Sequence, residues 1–179
     1  MRRSFVLICS IFVFAIAAFI AFDFLQIGRK APDLAPAEER ATRVEIIKAS
    51  RQLNLFRGGE IIKSYPVSLG FSPIGHKAKE GDGRTPEGLY AAEFKNARSR
   101  FHLALRVSYP NADDRKIARE QGVSPGSDIM IHGLPNGISW LDRLHLSRDW
   151  TDGCIAVTNS EMEEIWRLVA TGTPIEIRP

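Results

Sequence analysis

Cys154 is the only cysteine downstream of an apolar N-terminal run in this chain, and Gly153 precedes it at the start of an apolar stretch. The run indicates export, and a lone cysteine in an exported domain has no disulfide partner. Such a thiol is either an inert buried group or a nucleophile. Because only the thiolate attacks a carbonyl well, and a thiol with a pKa of about 8.5 is mostly protonated at neutral pH, nucleophilic chemistry at Cys154 requires a base.

His132 is the histidine best placed to supply that base. It ends a short strand predicted over residues 128–132, and a strand end followed by glycine is a typical position for an exposed functional side chain. Gly133 carries no side chain that would block a substrate. Gly153 lets backbone N–H groups turn toward the attacked carbonyl, where two such donors would stabilise an oxyanion. These residues predict a Cys154 nucleophile with a His132 base.

Two further residues are candidates for supporting this pair. His145 either brings a second imidazole to the site or is a hydrogen-bonded loop histidine. Asp152 either orients His132, as a carboxylate does in other pairs of nucleophile and base, or bonds the N–H groups of the turn, and we favour the second role. The remaining histidines, His76 and His102, are assigned to solvent contact or packing.

Three motifs around these residues resemble the L,D-transpeptidase catalytic domain, also called the YkuD or ErfK family. They are Gly83-Arg84-Thr85-Pro86-Glu87-Gly88, Ile131-His132-Gly133 and Gly153-Cys154-Ile155. The likeness extends from about Val44 to the C-terminus. It implies a β-sandwich-like catalytic fold in which His132 activates the Cys154 thiol, and it implies no cofactor.

The resemblance also implies a substrate and a mechanism. In the family the cysteine attacks the diaminopimelate carbonyl of a peptidoglycan stem peptide, D-alanine leaves, and a thioester remains on the enzyme. An amine of a neighbouring stem, or a lysine of a wall-attached lipoprotein, then takes the acyl group, whereas water gives hydrolysis. We therefore expect an L,D-transpeptidase of the cell wall that carries the acyl group on Cys154.

The chain departs from the family pattern near the cysteine. Asp152 stands where the family usually has a second histidine, and Ala156 stands where it often has a polar residue. The gap between His132 and Cys154 is also longer than is common. These departures resemble the YafK-like branch, in which cleavage of cross-links or lipoprotein attachments is an equal alternative to their synthesis. A hydrolase with the same Cys154 and His132 site is therefore the alternative function.

Two further alternatives belong to other functional classes. The side chains available for a metal site are His132, His145, Asp149 or Asp152, and Cys154. These ligand types suit zinc, but their spacing matches no standard pattern, and we expect no metal. A non-catalytic wall-binding module would explain the missing second histidine, but a binding surface gains nothing from a reactive thiol.

Residues 5–22 form an almost unbroken apolar run, with Arg2 and Arg3 before it and Asp23 after it. About 18 apolar residues approach the length that spans a bilayer, whereas a signal-peptide core has about 7 to 15. We therefore predict a membrane anchor over residues 1–24, with its positive end in the cytoplasm. A cleaved signal peptide, which would release a secreted protein, is the alternative.

The remainder of the chain predicts one domain outside the cytoplasm. A linker rich in Pro, Ala and Glu, residues 25–42, precedes a catalytic domain over residues 43–179. The orientation of the anchor places this domain outside the cytoplasm, and the family resemblance implies the periplasm of a bacterial cell envelope. The formal net charge of +3 is modest and no basic stripe is present, so the predicted partners are the membrane and wall peptides, not nucleic acid.

The domain alternates short strand-like segments with turns. Strands are predicted over residues 44–49, 52–56, 61–69, 89–94, 101–108, 128–132 and 175–177, and helices over residues 113–121 and 159–170. Asn159 is the predicted N-cap of the second helix. Many strands with few helices predict a mainly β fold with small helices, not a doubly wound α/β sheet.

Overall fold

The computed structural model describes residue 18 and residues 30–179 of the chain. The predicted anchor over residues 1–24, apart from Ala18, and the first part of the predicted linker lie outside these described residues. Among the helices that are described, none has both the length and the apolarity needed to cross a bilayer.

The last part of the predicted linker packs against the domain. Ala35 and Ala41 are buried, and their N–H groups donate to the carbonyl oxygens of Arg167 at 3.0 Å and Leu168 at 2.8 Å. A short 3-10 helix, Ala37–Glu39, lies between them. Residues 35–41 therefore belong to the folded unit and do not act as a free spacer.

Eight strands form one sheet in the described part of the chain. They are β1 (Arg43–Ile47), β2 (Gln52–Arg57), β3 (Glu60–Pro66), β4 (Gly88–Asn96), β5 (Ala104–Val107), β6 (Met130–His132), β7 (Ile155–Ala156) and β8 (Pro174–Arg178). Their order is β3-β2-β1-β8-β4-β5-β6-β7. The pairs β1 with β8 and β6 with β7 are parallel, and the other neighbours are antiparallel. The predicted mainly β fold is confirmed.

Strand β4 joins the two halves of this sheet. Its first residues, Gly88 to Ala91, pair with β8, and its later residues, Ala92 to Asn96, pair with β5. The register shifts between Ala92 and Phe94, and such a bulge bends a strand and increases its twist. The bend lets the half that contains β6 and β7 pack on the same core as the half that contains β1 and β2.

The segment that follows β3 contacts β7 at the opposite end of the sheet. Ser68 forms an isolated antiparallel bridge with Ala156 of β7, and Gly70 forms a parallel bridge with Thr151. Ser68 and Ala156 exchange two backbone hydrogen bonds of 2.9 Å. Strand β7 is consequently held by β6 on one side and by residues 68–70 on the other.

One apolar core lies between the two halves of the sheet. Val44 and Ile46 of β1 lie on either side of Glu45, share one face of the strand and are fully buried. Two helices flank the sheet, α1 (Ala112–Glu120) and α2 (Asn159–Leu168). Met162 and Ile165, one turn apart on α2, are also fully buried in this core. Burying each such side chain contributes about 1.5–3 kcal/mol.

The predicted N-cap of α2 was wrong by one residue. Thr158 is the N-cap: its side chain accepts from the Glu161 N–H at 3.3 Å, and Glu161 accepts from the Thr158 N–H at 2.9 Å. This reciprocal pair is a capping box, which requires Glu three residues after the cap. The Asn159 side chain instead accepts from the Leu134 N–H at 2.8 Å, so it ties the start of α2 to the segment after β6.

Candidate active site

The parallel register of β6 and β7 brings His132 and Cys154 together. Ile131 pairs with Ile155 and His132 pairs with Ala156. Because side chains alternate between the faces of a strand, Ile131 and Ile155 enter the core while His132 and Cys154 share the opposite face. Both line one open cavity of about 550 Å³.

His132 is oriented by the carbonyl oxygen of the next residue. Its Nδ1 lies 2.6 Å from the Gly133 oxygen, and a carbonyl only accepts, so Nδ1 carries the proton and Nε2 holds the free lone pair. Burial lowers the pKa of His132 to about 4, although the bond to Gly133 acts in the opposite direction. The ring is therefore neutral at pH 7, and its unprotonated Nε2 is the nitrogen that can accept a proton.

Two aromatic rings fix the plane of this imidazole. The Phe101 ring centroid lies 4.5 Å from that of His132, and the Trp150 centroid lies 5.9 Å away in an edge-on arrangement. Both aromatic residues also line the cavity. Phe101 carried no sequence signal, because it lies in a predicted strand far from the three motifs.

The Cys154 thiol is held by backbone groups near the start of β6. Its Sγ accepts from the Met130 N–H at 3.4 Å and donates to the Asp128 carbonyl at 3.6 Å. Burial raises the pKa of Cys154, the Met130 hydrogen bond lowers it, and the negative charge of Asp152 raises it. The thiol therefore rests protonated at neutral pH, and its reaction as a nucleophile requires proton transfer to a base.

Thr151 organises the turn that presents the thiol. Its Oγ1 accepts from the Gly153 N–H at 3.2 Å and donates to the Cys154 carbonyl at 2.7 Å. The Gly153 N–H is therefore not free to bind an oxyanion. The Cys154 N–H has no acceptor among residues 30–179, so it is the donor that the turn leaves for that role.

Asp152 does not have the structural role that we favoured from the sequence. It is exposed at the cavity and forms no hydrogen bond or ion pair with any residue in the described ranges. Thr151 bonds the turn in its place, because a hydroxyl one residue earlier reaches both the Gly153 N–H and the Cys154 carbonyl. Asp152 does not orient His132 either, since the Gly133 carbonyl does so.

His145 lies behind the cavity wall and is buried. Its ring meets Trp150 edge-on at 6.4 Å, and its Nδ1 lies 3.4 Å from the Ser68 hydroxyl, which donates to the His145 carbonyl at 3.0 Å. His145 is not among the residues that line the cavity. It therefore supports Trp150 and does not bring a second imidazole to the thiol.

Gly133 is required for packing more than for substrate access. A Cβ atom at this position would lie 2.6 Å from the Asn159 Oδ1 atom and 3.1 Å from the His102 Cβ atom. Without a side chain at 133, Asn159 can approach and bond the Leu134 N–H. The glycine thus allows α2 to hold the segment that follows His132.

The motif over residues 83–88 braces the cysteine turn. The Thr85 hydroxyl accepts from the Gly70 N–H at 3.1 Å, next to the bridge between Gly70 and Thr151. Lys48 is buried and donates to the Thr85 carbonyl at 3.0 Å and to the Glu87 carboxylate at 2.7 Å. These contacts hold the motif against the end of β1 and against the segment that contains Gly70.

Asp82 immediately precedes this motif and bonds the loop that leads into it. Its carboxylate accepts from the buried Lys77 ammonium at 2.8 Å and from the Ala78 and Arg84 N–H groups at 2.8 and 3.0 Å. Burial alone would raise the pKa of Asp82, but these bonds lower it to about 2. The carboxylate is therefore ionised at physiological pH, and the loop is cross-linked at its base.

Several other polar and aromatic side chains of the domain lie apart from the thiol. His76 accepts from the Glu87 N–H at 3.0 Å, and His102 lies 3.0 Å from the Glu163 carboxylate, so both have packing roles. Trp140 is exposed, and neither it nor Arg84 and Arg148 line the cavity. Within the described residues, no three His, Cys, Asp or Glu side chains converge as a metal site would require.

Two arginines that sequence reasoning missed, Arg98 and Arg100, do line the cavity. They lie in the loop between β4 and β5. This loop is longer than the sequence predicts, because the predicted strand starts at residue 101 and β5 begins only at Ala104. In the sequence they are only two arginines two positions apart, and such a pair usually lies on a solvated surface and not in a binding site.

Comparison with known proteins agrees with this geometry. The YkuD family, described as an L,D-transpeptidase catalytic domain, matches residues 41–177. YafK of Escherichia coli strain K12, whose name assigns it only provisionally to the L,D-transpeptidases, is 30% identical over 132 residues. That match covers 70% of this chain and 46% of YafK. The chain therefore spans about half the length of this relative.

Solved structures extend the likeness to the fold. The helical cell shape determining protein Pgp2 of Campylobacter jejuni has a TM-score of 0.60 and 28% identity, covering 88% of this chain and 54% of Pgp2. Bd1075 of Bdellovibrio bacteriovorus has a TM-score of 0.53 and 26% identity, covering 81% of this chain and 50% of Bd1075. Together with the family match over most of its length, these findings show that the chain belongs to the YkuD family of L,D-transpeptidase catalytic domains.

Proposed function

We propose that this domain is an L,D-transpeptidase that transfers acyl groups of peptidoglycan stem peptides through a thioester on Cys154. Membership of the family supports a role on peptidoglycan. The observation that carries the proposal is the shared face of β6 and β7, where the thiol and a neutral imidazole line one cavity. The bond from His132 Nδ1 to the Gly133 oxygen leaves Nε2 as the base.

The first half of the reaction forms the thioester. The Cys154 proton passes to His132 Nε2 as the sulfur attacks the carbonyl carbon between diaminopimelate and D-alanine. The negative oxygen of the tetrahedral intermediate accepts from the Cys154 N–H. The carbon–nitrogen bond then breaks, and D-alanine leaves with the proton from His132. This sequence starts and ends with a neutral imidazole, as its lowered pKa favours.

The second half of the reaction transfers the acyl group. His132 takes a proton from an amine of a neighbouring stem, or from a lysine of a wall-attached lipoprotein, as that nitrogen attacks the thioester. The carbon–sulfur bond breaks, and the thiol regains its proton. If water attacks instead, the product is a shortened stem, and the domain is a hydrolase. The cavity is open and Asp152 at its edge is exposed, so water also reaches the thioester.

The test of this proposal is turnover of purified stem tetrapeptides with and without an amine acceptor. Cys154→Ala should abolish turnover, and His132→Gln should lower kcat by about 10²–10⁴, the usual contribution of a general base. Arg148→Gln, an exposed change outside the cavity, is the matched control and should retain wild-type turnover. Wild-type rates in Cys154→Ala protein would refute the assignment.

Product analysis separates the three candidate activities. A cross-linked peptide or peptide–lysine conjugate formed from tetrapeptides supports transfer, whereas cleavage of a purified cross-linked peptide or peptide–lysine conjugate supports the hydrolase. A carbapenem, which acylates active cysteines of this family, should add its mass to wild-type protein and not to Cys154→Ala. Protein that neither turns over stems nor forms this adduct would be a non-catalytic wall-binding module.

We also propose that residues 1–24 anchor the domain to the inner membrane, with the domain in the periplasm. This proposal rests on the apolar run and on the two arginines before it. In cells, the protein should remain with the membrane fraction after carbonate extraction and be degraded by protease added to spheroplasts. A soluble form that begins after the apolar run would show that the segment is a cleaved signal peptide.

A further inference from the structure

Arg98 and Arg100 are exposed on the wall of the cavity that contains Cys154. Neither guanidinium forms a hydrogen bond or ion pair with any residue between 30 and 179. Other arginines do have carboxylate partners, for example Arg51 with Asp149 at 2.8 Å and Arg143 with Glu161 at 3.3 Å. The cavity therefore presents two cations whose charge is not already satisfied.

The loop that carries these arginines is fixed to the segment after β6. The Asn136 N–H donates to the Arg100 carbonyl at 2.9 Å. The Asn136 side chain donates to the Ser99 carbonyl at 3.1 Å and accepts from the His102 N–H at 3.0 Å. The backbone positions are thus set before any ligand binds, which lowers the entropy lost on binding.

The same loop contacts the catalytic imidazole. Phe101 follows Arg100 directly, and its ring packs on His132 with centroids 4.5 Å apart. Its N–H is bonded by the Ser99 hydroxyl at 3.0 Å. The backbone next to the arginines is therefore held near the imidazole by a packed side chain and not left as a free loop.

The cavity also contains one carboxylate without a partner. Asp128 also lines the cavity, but its carboxylate is paired with the Arg106 guanidinium at 3.5 Å. Asp152, next to the nucleophile, has no ion pair in the described ranges. Two unpaired guanidinium groups and one unpaired carboxylate around one nucleophile match a ligand that carries both a carboxylate and an ammonium group.

We propose that Arg98 and Arg100 bind the carboxylate, and Asp152 the ammonium, of the free amino-acid end of the diaminopimelate side chain. The inference rests on the proposed function, which places the attacked carbonyl of the same residue at Cys154. A short methylene chain separates that carbonyl from the free end. Guanidinium pairs with carboxylate in a planar, bidentate way, which distinguishes this end from a lone ammonium.

The test measures binding of stem tetrapeptides to Cys154→Ser protein by calorimetry, so that no turnover occurs. One peptide contains diaminopimelate, and a second contains lysine, which keeps the ammonium but lacks the side-chain carboxylate. A third contains diaminopimelate and ends in a carboxamide, which removes the carboxylate of the terminal D-alanine. Protein with both arginines should bind the first and third peptides with a Kd about tenfold lower than that of the lysine peptide, the effect of one charged contact.

Each variant has a distinct expected result. Arg98→Gln and Arg100→Gln should each weaken both diaminopimelate peptides by about tenfold and leave the lysine peptide unchanged. Asp152→Asn should weaken the diaminopimelate and lysine peptides alike. Arg148→Gln, an exposed arginine outside the cavity, is the control and should change none of them. Thermal unfolding of each variant should match the parent, since none of these side chains is buried.

Three outcomes would overturn the inference. The first is unchanged affinity for every peptide in both arginine variants. The second is equal weakening of the lysine peptide, which would indicate a nonspecific charge effect. The third is loss of the arginine effect in the carboxamide peptide, which would place the arginines at the terminal D-alanine. If the binding pattern holds but Cys154-containing protein turns over no stem, the proposed function fails and the recognition site stands.

Discussion

The carbonyl oxygen of Arg84 lies 2.5 Å from the position that a Cβ atom would occupy at Gly153. Gly153 also has a φ of +124°, a conformation that side chains with a Cβ rarely adopt. The motif over residues 83–88 and the cysteine turn are therefore in backbone contact. A side chain at 153 would have to separate them.

Gly153→Ala should consequently destabilise the domain and displace the thiol. The strained φ alone costs about 1–3 kcal/mol, and the contact with a backbone oxygen adds to it. Urea unfolding measures the free energy, and the rate of iodoacetamide alkylation measures the thiol. The control is Gly172→Ala, at a φ of +89° with no atom within 4 Å of the added Cβ, which should lose stability but keep the alkylation rate. Equal alkylation rates in both variants would contradict the role of this contact.

The enzyme should remain active at lower pH than an enzyme whose histidine base has an ordinary pKa. Burial lowers the pKa of His132 to about 4, and the base is inactive only when it is protonated. We expect the acid limb of kcat/KM for a stem tetrapeptide to have its midpoint near pH 4. A midpoint near 6.5, the ordinary value, would show that the ring is solvated in the working enzyme.

Phe101 provides a variant that moves this midpoint. Its ring covers one face of His132, so Phe101→Ala admits water and should raise the midpoint toward pH 6.5. Phe94→Ala, which removes an exposed ring on β4, should leave the midpoint unchanged. The same shift in both variants would exclude desolvation by Phe101 as the cause.

The buried His132 should also make folding sensitive to acid. The unfolded chain binds a proton near pH 6.5, but the folded ring does so only near pH 4, so acid in this window favours the unfolded state. One unit of pKa difference corresponds to about 1.4 kcal/mol, which makes the full loss on the order of 3 kcal/mol. Urea unfolding at pH 7 and pH 4.5 should show a smaller loss for His132→Gln than for wild type. Identical losses would contradict the lowered pKa.

His145 should act through packing and not through its imidazole. His145→Phe keeps a buried ring against Trp150 and should retain most of the wild-type kcat. His145→Ala leaves a cavity behind Trp150, so it should lower both the unfolding free energy, by about 2–4 kcal/mol, and kcat. If the phenylalanine variant were as inactive as His132→Gln, the second imidazole would have a chemical role.

The sequence predicts the part of the site that depends on strand periodicity. Ile131 precedes His132 and Ile155 follows Cys154, so alternation assigns His132 and Cys154 to the face of the sheet opposite the apolar core. Their pairing across β6 and β7 could be anticipated only through the family resemblance, because no local pattern specifies which strands become neighbours.

The remainder of the site depends on contacts that are distant in sequence. Arg98, Arg100 and Phe101 reach the cavity because Asn136 holds their loop, and no periodicity indicates such a contact. Thr151 and Asp152 are both able to bond turn N–H groups. Only the fold shows that Thr151 does so, which leaves Asp152 exposed at the cavity.

The bridge between Ser68 and Ala156 leaves the strand after the nucleophile without an open edge. A peptide therefore cannot dock beside Cys154 by adding a strand to the sheet, the mode by which many proteases and peptide-binding domains read backbone. Selection of a ligand at this cysteine must then come from the side chains that line the cavity, apolar ones such as Phe101 and Trp150 as well as the charged ones, and a sequence-independent protease activity is disfavoured by the architecture itself.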